Sequence, residues 1–309
     1  MNRIKILGLG LIAASLLSLN AAYAEEDANK STAKLPTSDA PEGDIDTEIR
    51  NNRLRAILGA KSRWSSSIST TYNGGSIQSP LNEKRPRLQN GDLNLNDVSL
   101  SVEARGRYRI NKNTSLSAGI GLNQRQPFHS SIESSENAGD NFSLNNPFIA
   151  AEAGFKAGIF QNRATLTYTH GTSDQFENDQ IFGRVSGTYS FMHLFKEVPL
   201  TLGMATSVTH NLLEGDSTFF KHLLGVYPFL EYAITENVDF RTVFGYFNYL
   251  YLDEEGGQNR SWIRDVHYQS VGIGVTVNRD LWIYPNFQLT PEALSFASTN
   301  VGITAQINL

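Results

Sequence analysis

From residue 57 to the C-terminus, apolar and polar side chains alternate with a period of two. That is the repeat of an extended strand, whose successive side chains point to opposite faces. In residues 98–110, Val98, Leu100, Val102, Ala104, Tyr108 and Ile110 make one face. Ser99, Ser101, Glu103, Arg105, Arg107 and Arg109 make the other. The same pattern recurs. Leu116, Ala118, Ile120 and Leu122 alternate with Ser117, Gly119, Gly121 and Asn123, and Ile149, Ala151, Ala153 and Phe155 with Glu152, Gly154 and Lys156. Val271, Ile273, Val275 and Val277 oppose Ser270, Gly272, Gly274 and Thr276. The second face is rich in Gly, Ser, Thr and Arg. It would make a poor protein core but suits a wet lumen.

The connections also alternate. Tight turns are expected at 111–113, 160–162, 196–197, 235–237 and 278–280. Longer polar segments fall at 73–96, 125–146, 171–178, 211–219, 253–261 and 290–298. Short turns on one rim and long loops on the other predict an all-β, antiparallel up-and-down transmembrane β-barrel of about 12 strands. A soluble sandwich would also alternate, but it would pack one face against a core.

Composition narrows this reading. Charged residues are 18% of the 309, below the ~25% of ordinary soluble chains. No cysteine is present, which excludes disulfides and thiolate metal sites. The net charge of −5 gives nucleic acid no electrostatic footprint. Residues 1–24 read as a cleaved secretory signal: Arg3 and Lys5, an apolar run from Ile6 to Leu19, then Ala22-Tyr23-Ala24. Residues 25–56 are acidic, punctuated by Pro36, Pro41 and Gly43, and too sparse in apolar residues to fold alone. They are either a flexible periplasmic leader or a plug that enters a pore, with Ile45, Ile49 and Leu54 able to form an amphipathic turn. The barrel occupies 57–309.

Aromatic residues cluster near strand ends, where amphipathic rings favour the headgroup level. Tyr108, Phe160, Phe195, Phe240 and Trp282 are expected on the short-turn rim. Tyr72, Phe148, Phe182, Tyr251 and Trp262 are expected on the long-loop rim. At the C-terminus, Val301, Ile303, Ala305, Ile307 and Leu309 alternate with Gly302, Thr304, Gln306 and Asn308. This resembles the terminal strand by which Gram-negative outer-membrane barrel proteins are recognised for insertion, although Leu309 stands where that family usually has an aromatic residue. The resemblance covers 57–309 and implies a bacterial outer-membrane location. The partners it implies are membrane lipid, lipopolysaccharide and the barrel-assembly machinery.

Candidate chemistry lies on the polar face. Glu103, Arg105, Arg107 and Arg109 share one face of one strand, near its short-turn end. Lys156, Arg184 and Arg241 extend the ladder, and Glu152, Glu231 and Asp239 are available to pair with it. Stacked cations in a pore favour anions; paired with carboxylates, they would instead fill a narrow lumen. The first reading is a small, anion-leaning diffusion channel for hydrophilic solutes. The second is a structural or adhesive barrel with a closed lumen. The third is a lipid hydrolase built on His170, Ser173 and Asp174, which are close in sequence but lack the spatial definition of a triad. No cofactor or metal is called for. Arg85-Pro86-Arg87, in the first long loop, suits lipopolysaccharide phosphates.

Overall fold

A computed structural model describes residues 49–89, 92–129, 141–195, 197–215, 219–253, 260–264 and 268–309. The signal segment and most of the leader lie outside these residues. The chain divides into two units, and everything below concerns the one spanning Pro41–Asn308. Its first element among the described residues is helix α1 (Asn52–Leu58). The strands are β1 (Trp64–Ser76), β2 (Lys84–Gln89), β3 (Asp92–Asp97), β4 (Ser99–Arg109), β5 (Thr114–Arg125), β6 (Phe142–Leu144), β7 (Phe148–Ala157) and β8 (Phe160–His170). After helix α2 (Asp174–Asn178) come β9 (Ile181–Leu194), β10 (Leu200–Leu213), β11 (His222–Ala233), β12 (Val238–Gly245) and β13 (Phe247–Asp253). The last four are β14 (Arg260–Arg264), β15 (Tyr268–Asn278), β16 (Leu281–Leu289) and β17 (Asn300–Asn308).

Twelve of these strands close into an antiparallel barrel in the order β1-β4-β5-β7-β8-β9-β10-β11-β12-β15-β16-β17. The seam forms where β17 pairs with β1, setting Ile307 opposite Ile68 and Ile303 opposite Tyr72. Every wall strand thus has two partners. A closed barrel can cross lipid because it leaves no backbone edge unsatisfied. β13 continues the line of β12 along β11 and pairs on its other side with β14. The long 73–96 segment folds into the β2–β3 hairpin, and the 125–146 segment contributes β6.

The strand faces follow the alternation, and burial has the sense expected in lipid. Ile149 and Val208 stand 60% and 54% exposed on the outside, while Ser67, Ser115, Ser117 and Ser270 are buried inside. A water-soluble protein would invert this arrangement.

Four expectations need correction. The first strand starts at Trp64 rather than 57, because residues 52–58 are helical. The tight turn expected at 160–162 lies at Gly158–Ile159, where Gly158 adopts φ +59° and Phe160 already begins β8. Trp282 is 4% exposed and stacks on Tyr284 at 5.6 Å inside the barrel, on the face opposite Leu281 and Ile283. Phe148 is likewise turned inward, 9% exposed, with the Arg105 guanidinium 4.9 Å over its ring. In both cases pleat parity, rather than aromatic character, decided the face. On the short-turn rim, Trp64 and Tyr108 do meet on the outside, with ring centroids 4.7 Å apart.

Candidate functional site in the barrel lumen

The inner wall carries two carboxylate-centred clusters. On β7, Glu152 is 3% exposed and receives three arginines. Arg163 Nη2 donates to it at 2.6 Å, Arg107 Nη2 lies 3.7 Å away and Arg105 Nη1 lies 4.0 Å away. Arg105 also donates to Glu103 at 2.8 Å. The second cluster centres on Glu231 of β11, 4% exposed. Its Oε1 accepts from Arg241 Nε at 2.9 Å and from Arg53 Nε at 2.8 Å. Arg241 also lies over Phe229 and Tyr284, at 5.4 and 5.2 Å. Buried charges persist only when paired in this way.

The candidate residues therefore divide. Glu103, Arg105, Arg107 and Glu152 come together in the first cluster, and Arg241 joins the second. Arg109, 4% exposed, donates to the backbone carbonyls of Ala60, Lys112 and Leu58 at 2.6, 3.2 and 3.3 Å. Arg184 stands apart, donating to Asn211 Oδ1 at 2.7 Å and packing 4.7 Å over Phe176. Lys156 is exposed beside the Gly158 turn. Arg85 of the β2–β3 hairpin reaches inward and donates to Gln288 Oε1 at 2.5 Å. The neighbouring Pro86 carbonyl accepts from Asn300 Nδ2 at 2.7 Å. The hairpin thus leans on the wall strands β16 and β17.

Helix α1 meets the inner wall at many points. Asn51 caps it, with Oδ1 accepting from the Leu54 amide at 2.8 Å, and the same side chain donates to Glu231 Oε2 at 2.6 Å. Gln161 Oε1 accepts from the amides of Arg50 and Asn51 at 2.6 and 3.0 Å. At the other end, Gly59 takes φ +83°, a conformation that costs glycine little. There Arg107 Nη2 donates to Ile57 O at 3.2 Å, Arg279 Nη1 to Gly59 O at 2.9 Å and Asn308 Nδ2 to Ala56 O at 2.8 Å. Cations at a helix C-terminus complement its dipole.

Apolar contacts complete the seat. Ile49, Leu54 and Leu58 cluster with Met192 and Phe229, and Ala56 clusters with Trp282 and Tyr284. Gly154 leaves room for Leu58, since a Cβ there would lie 2.7 Å from its Cδ1. In the barrel order β4 and β11 are six strands apart, as are β8 and β16. A segment that touches both members of both pairs spans the lumen. Glu236 O and Arg279, in short turns, place it at the short-turn end.

Sequence reasoning did not single out Asn51, Arg53, Gln161, Arg163 or Asn308. Arg163 had a signal, since it continues the inward set Thr165, Thr167 and Thr169. Of the hydrolase candidates, Ser173 Oγ caps α2 by accepting from the Phe176 amide, and the His170 ring stacks on Tyr168. His210 and His222, which have no evident partner in sequence, face each other across β10 and β11 with their Nδ1 atoms 3.2 Å apart. His267 lies outside the described residues.

No protein-family model matches the chain, and no curated protein matches it. Among solved structures, an outer-membrane channel from Pseudomonas putida F1 superposes with a TM-score of 0.52 at 10% identity, covering 81% of this chain and 96% of that one. The KdgM porin matches with a TM-score of 0.43 at 7% identity, over 78% of this chain and 98% of that one. The chain shares the fold of the first of these, a closed antiparallel β-barrel, here of 12 strands.

Proposed function

We propose that the protein is a small diffusion channel of the bacterial outer membrane, with a bias toward anions. The observation that carries this reading is the make-up of the inner wall. Among the described residues, Arg105, Arg107, Arg109, Arg163, Arg184 and Arg241 face Glu103, Glu152, Glu231 and Asp239 on a surface rich in Ser, Thr, Gly and Asn, with Phe148, Phe229, Trp282 and Tyr284 among them. The surplus of guanidinium over carboxylate sets a positive interior, and a positive pore attracts anions. Solutes would pass down their gradients, with lumen width setting the size limit. Lipid and lipopolysaccharide surround the barrel in this reading, and Val301, Ile303, Ala305, Ile307 and Leu309 serve the assembly machinery as the insertion signal. The fold shared with channels supports a barrel that conducts but names no solute.

The helix across the lumen favours a second reading, a structural barrel that stays closed. The pairing of Ser173 and His170 with their own neighbours does not favour a hydrolase.

Planar-bilayer recording of the purified protein separates the first two readings. The channel reading expects discrete conductance steps. It also expects a reversal potential, across a salt gradient, on the anion-selective side. That preference should fade toward 1 M salt, where the Debye length falls to about 3 Å. Replacing Arg105 by Gln should weaken it, because the Arg105 side chain is 18% exposed, far more open to the lumen than Arg107 at 3%. Absence of conductance from assembled protein would move the closed barrel to first place.

A further inference from the structure

We infer that residues 49–60, carrying α1, are a gate: a plug made by the chain itself, which closes the lumen when seated and opens it when released. The inference rests on the channel reading. Residues on opposite walls hold the segment, Arg107 and Arg109 on β4 against Glu231 on β11. Four side chains on the segment are almost fully buried: Ile49 at 0%, Leu54 at 1%, Ala56 at 0% and Leu58 at 4%. With these groups seated, the conducting path is obstructed where they lie.

The segment is built to be displaced as a unit. Seven helical residues are too few to be stable alone, so the helix depends on its seat. The seat is specific at both ends. A carboxylate and an amide, Glu231 and Gln161, receive the N-terminal donors. Three guanidiniums, on Arg107, Arg109 and Arg279, receive the C-terminal carbonyls. Two of the charged wall groups keep wall partners if the helix leaves. Glu231 keeps Arg241, and Arg107 keeps Glu152. These two groups are therefore charge-paired with the plug out as well as in. Release would also uncover Arg107 and Arg109, adding to the positive character of the open path.

The chain has no native cysteine, so an engineered pair is unambiguous. Leu58→Cys with Gly154→Cys joins the helix to β7, where the leucine already reaches the space of the missing glycine side chain. The expected result is a channel that falls silent when oxidised and regains wild-type openings on adding reductant. In a second variant, Leu54→Asp, an anion enters the apolar cluster of Met192 and Phe229 and expels the helix without touching the wall. Its open time should rise several-fold. Heat-modifiable migration checks assembly of both proteins. Equal conductance of the oxidised and reduced double-cysteine protein would overturn the gate, as would an assembled barrel in which the disulfide does not form. If Leu54→Asp assembles and conducts no ions, the channel reading itself fails, and the gate with it.

Discussion

Glu152 shows how much one side chain can hold. Its carboxylate is almost inaccessible, and the Arg107 side chain beside it is 3% exposed. Replacing Glu152 with Gln preserves shape but removes the counter-charge shared by Arg105, Arg107 and Arg163. Breaking a buried pair in this way costs about 3–5 kcal/mol, because the partner charge stays buried and uncompensated. The variant should unfold at a clearly lower urea concentration in detergent, read by loss of the heat-modifiable band. An unchanged midpoint would mean that water reaches Arg107 and satisfies it. Glu231 differs in that one of its two cationic partners is on the helix, Arg53, while the other, Arg241, is on the wall. Glu231→Gln should therefore disturb both the wall and the seat of the helix, seen as increased openings alongside reduced stability.

At the scale of one strand, pleat parity makes neighbouring positions unequal. On β4, Ser101 faces inward and donates to Asn123 Oδ1 at 2.9 Å. Val102 belongs to the outer face and sits opposite Thr70 and Leu122. Arginine on the lipid face costs about 2–4 kcal/mol near the membrane midplane, whereas a lumen position tolerates it. Val102→Arg should reduce the yield of assembled protein, and Ser101→Arg should leave it close to wild type. Equal yields from the two would show that the faces are reversed. The helix illustrates the opposite dependence. Its two turns carry an Asn cap but no acidic residue in the first turn, so local sequence contributes little to its stability. What holds it is the wall.

For the molecule as a whole, the decisive property is closure. Because β17 pairs with both β1 and β16, no wall strand presents a free edge. A barrel closed in this way resists detergent until it is heated. Unboiled and boiled samples should therefore migrate differently on gels, with a strand-type circular dichroism spectrum in the unboiled state. Removing residues 300–309 would leave β1 and β16 with unpaired edges. That truncation should abolish the heat-modifiable form rather than merely lower its stability, and a folded band from the truncated chain would contradict the closure described here.

What the sequence determined by itself is whatever repeats over short distances. A period of two is a local property of the extended chain, so the faces of β4, β5, β7 and β15 were readable residue by residue, and the count of 12 followed from the turns between them. The inward placement of Arg105, Arg107 and Arg109 was readable for the same reason. Even the misplacements are instructive. Trp282 and Phe148 were assigned by chemical type although their parity with Ile283 and Ile149 already pointed inward. Tertiary structure alone decided which groups meet across the lumen. Arg53 and Glu231 are 178 residues apart, and Asn308 and Ala56 are 252 apart. Nothing in the local pattern encodes such meetings. They exist because closing the barrel brings strands distant in sequence around one narrow space, where a buried charge or a short helix must find its partners on the opposite wall.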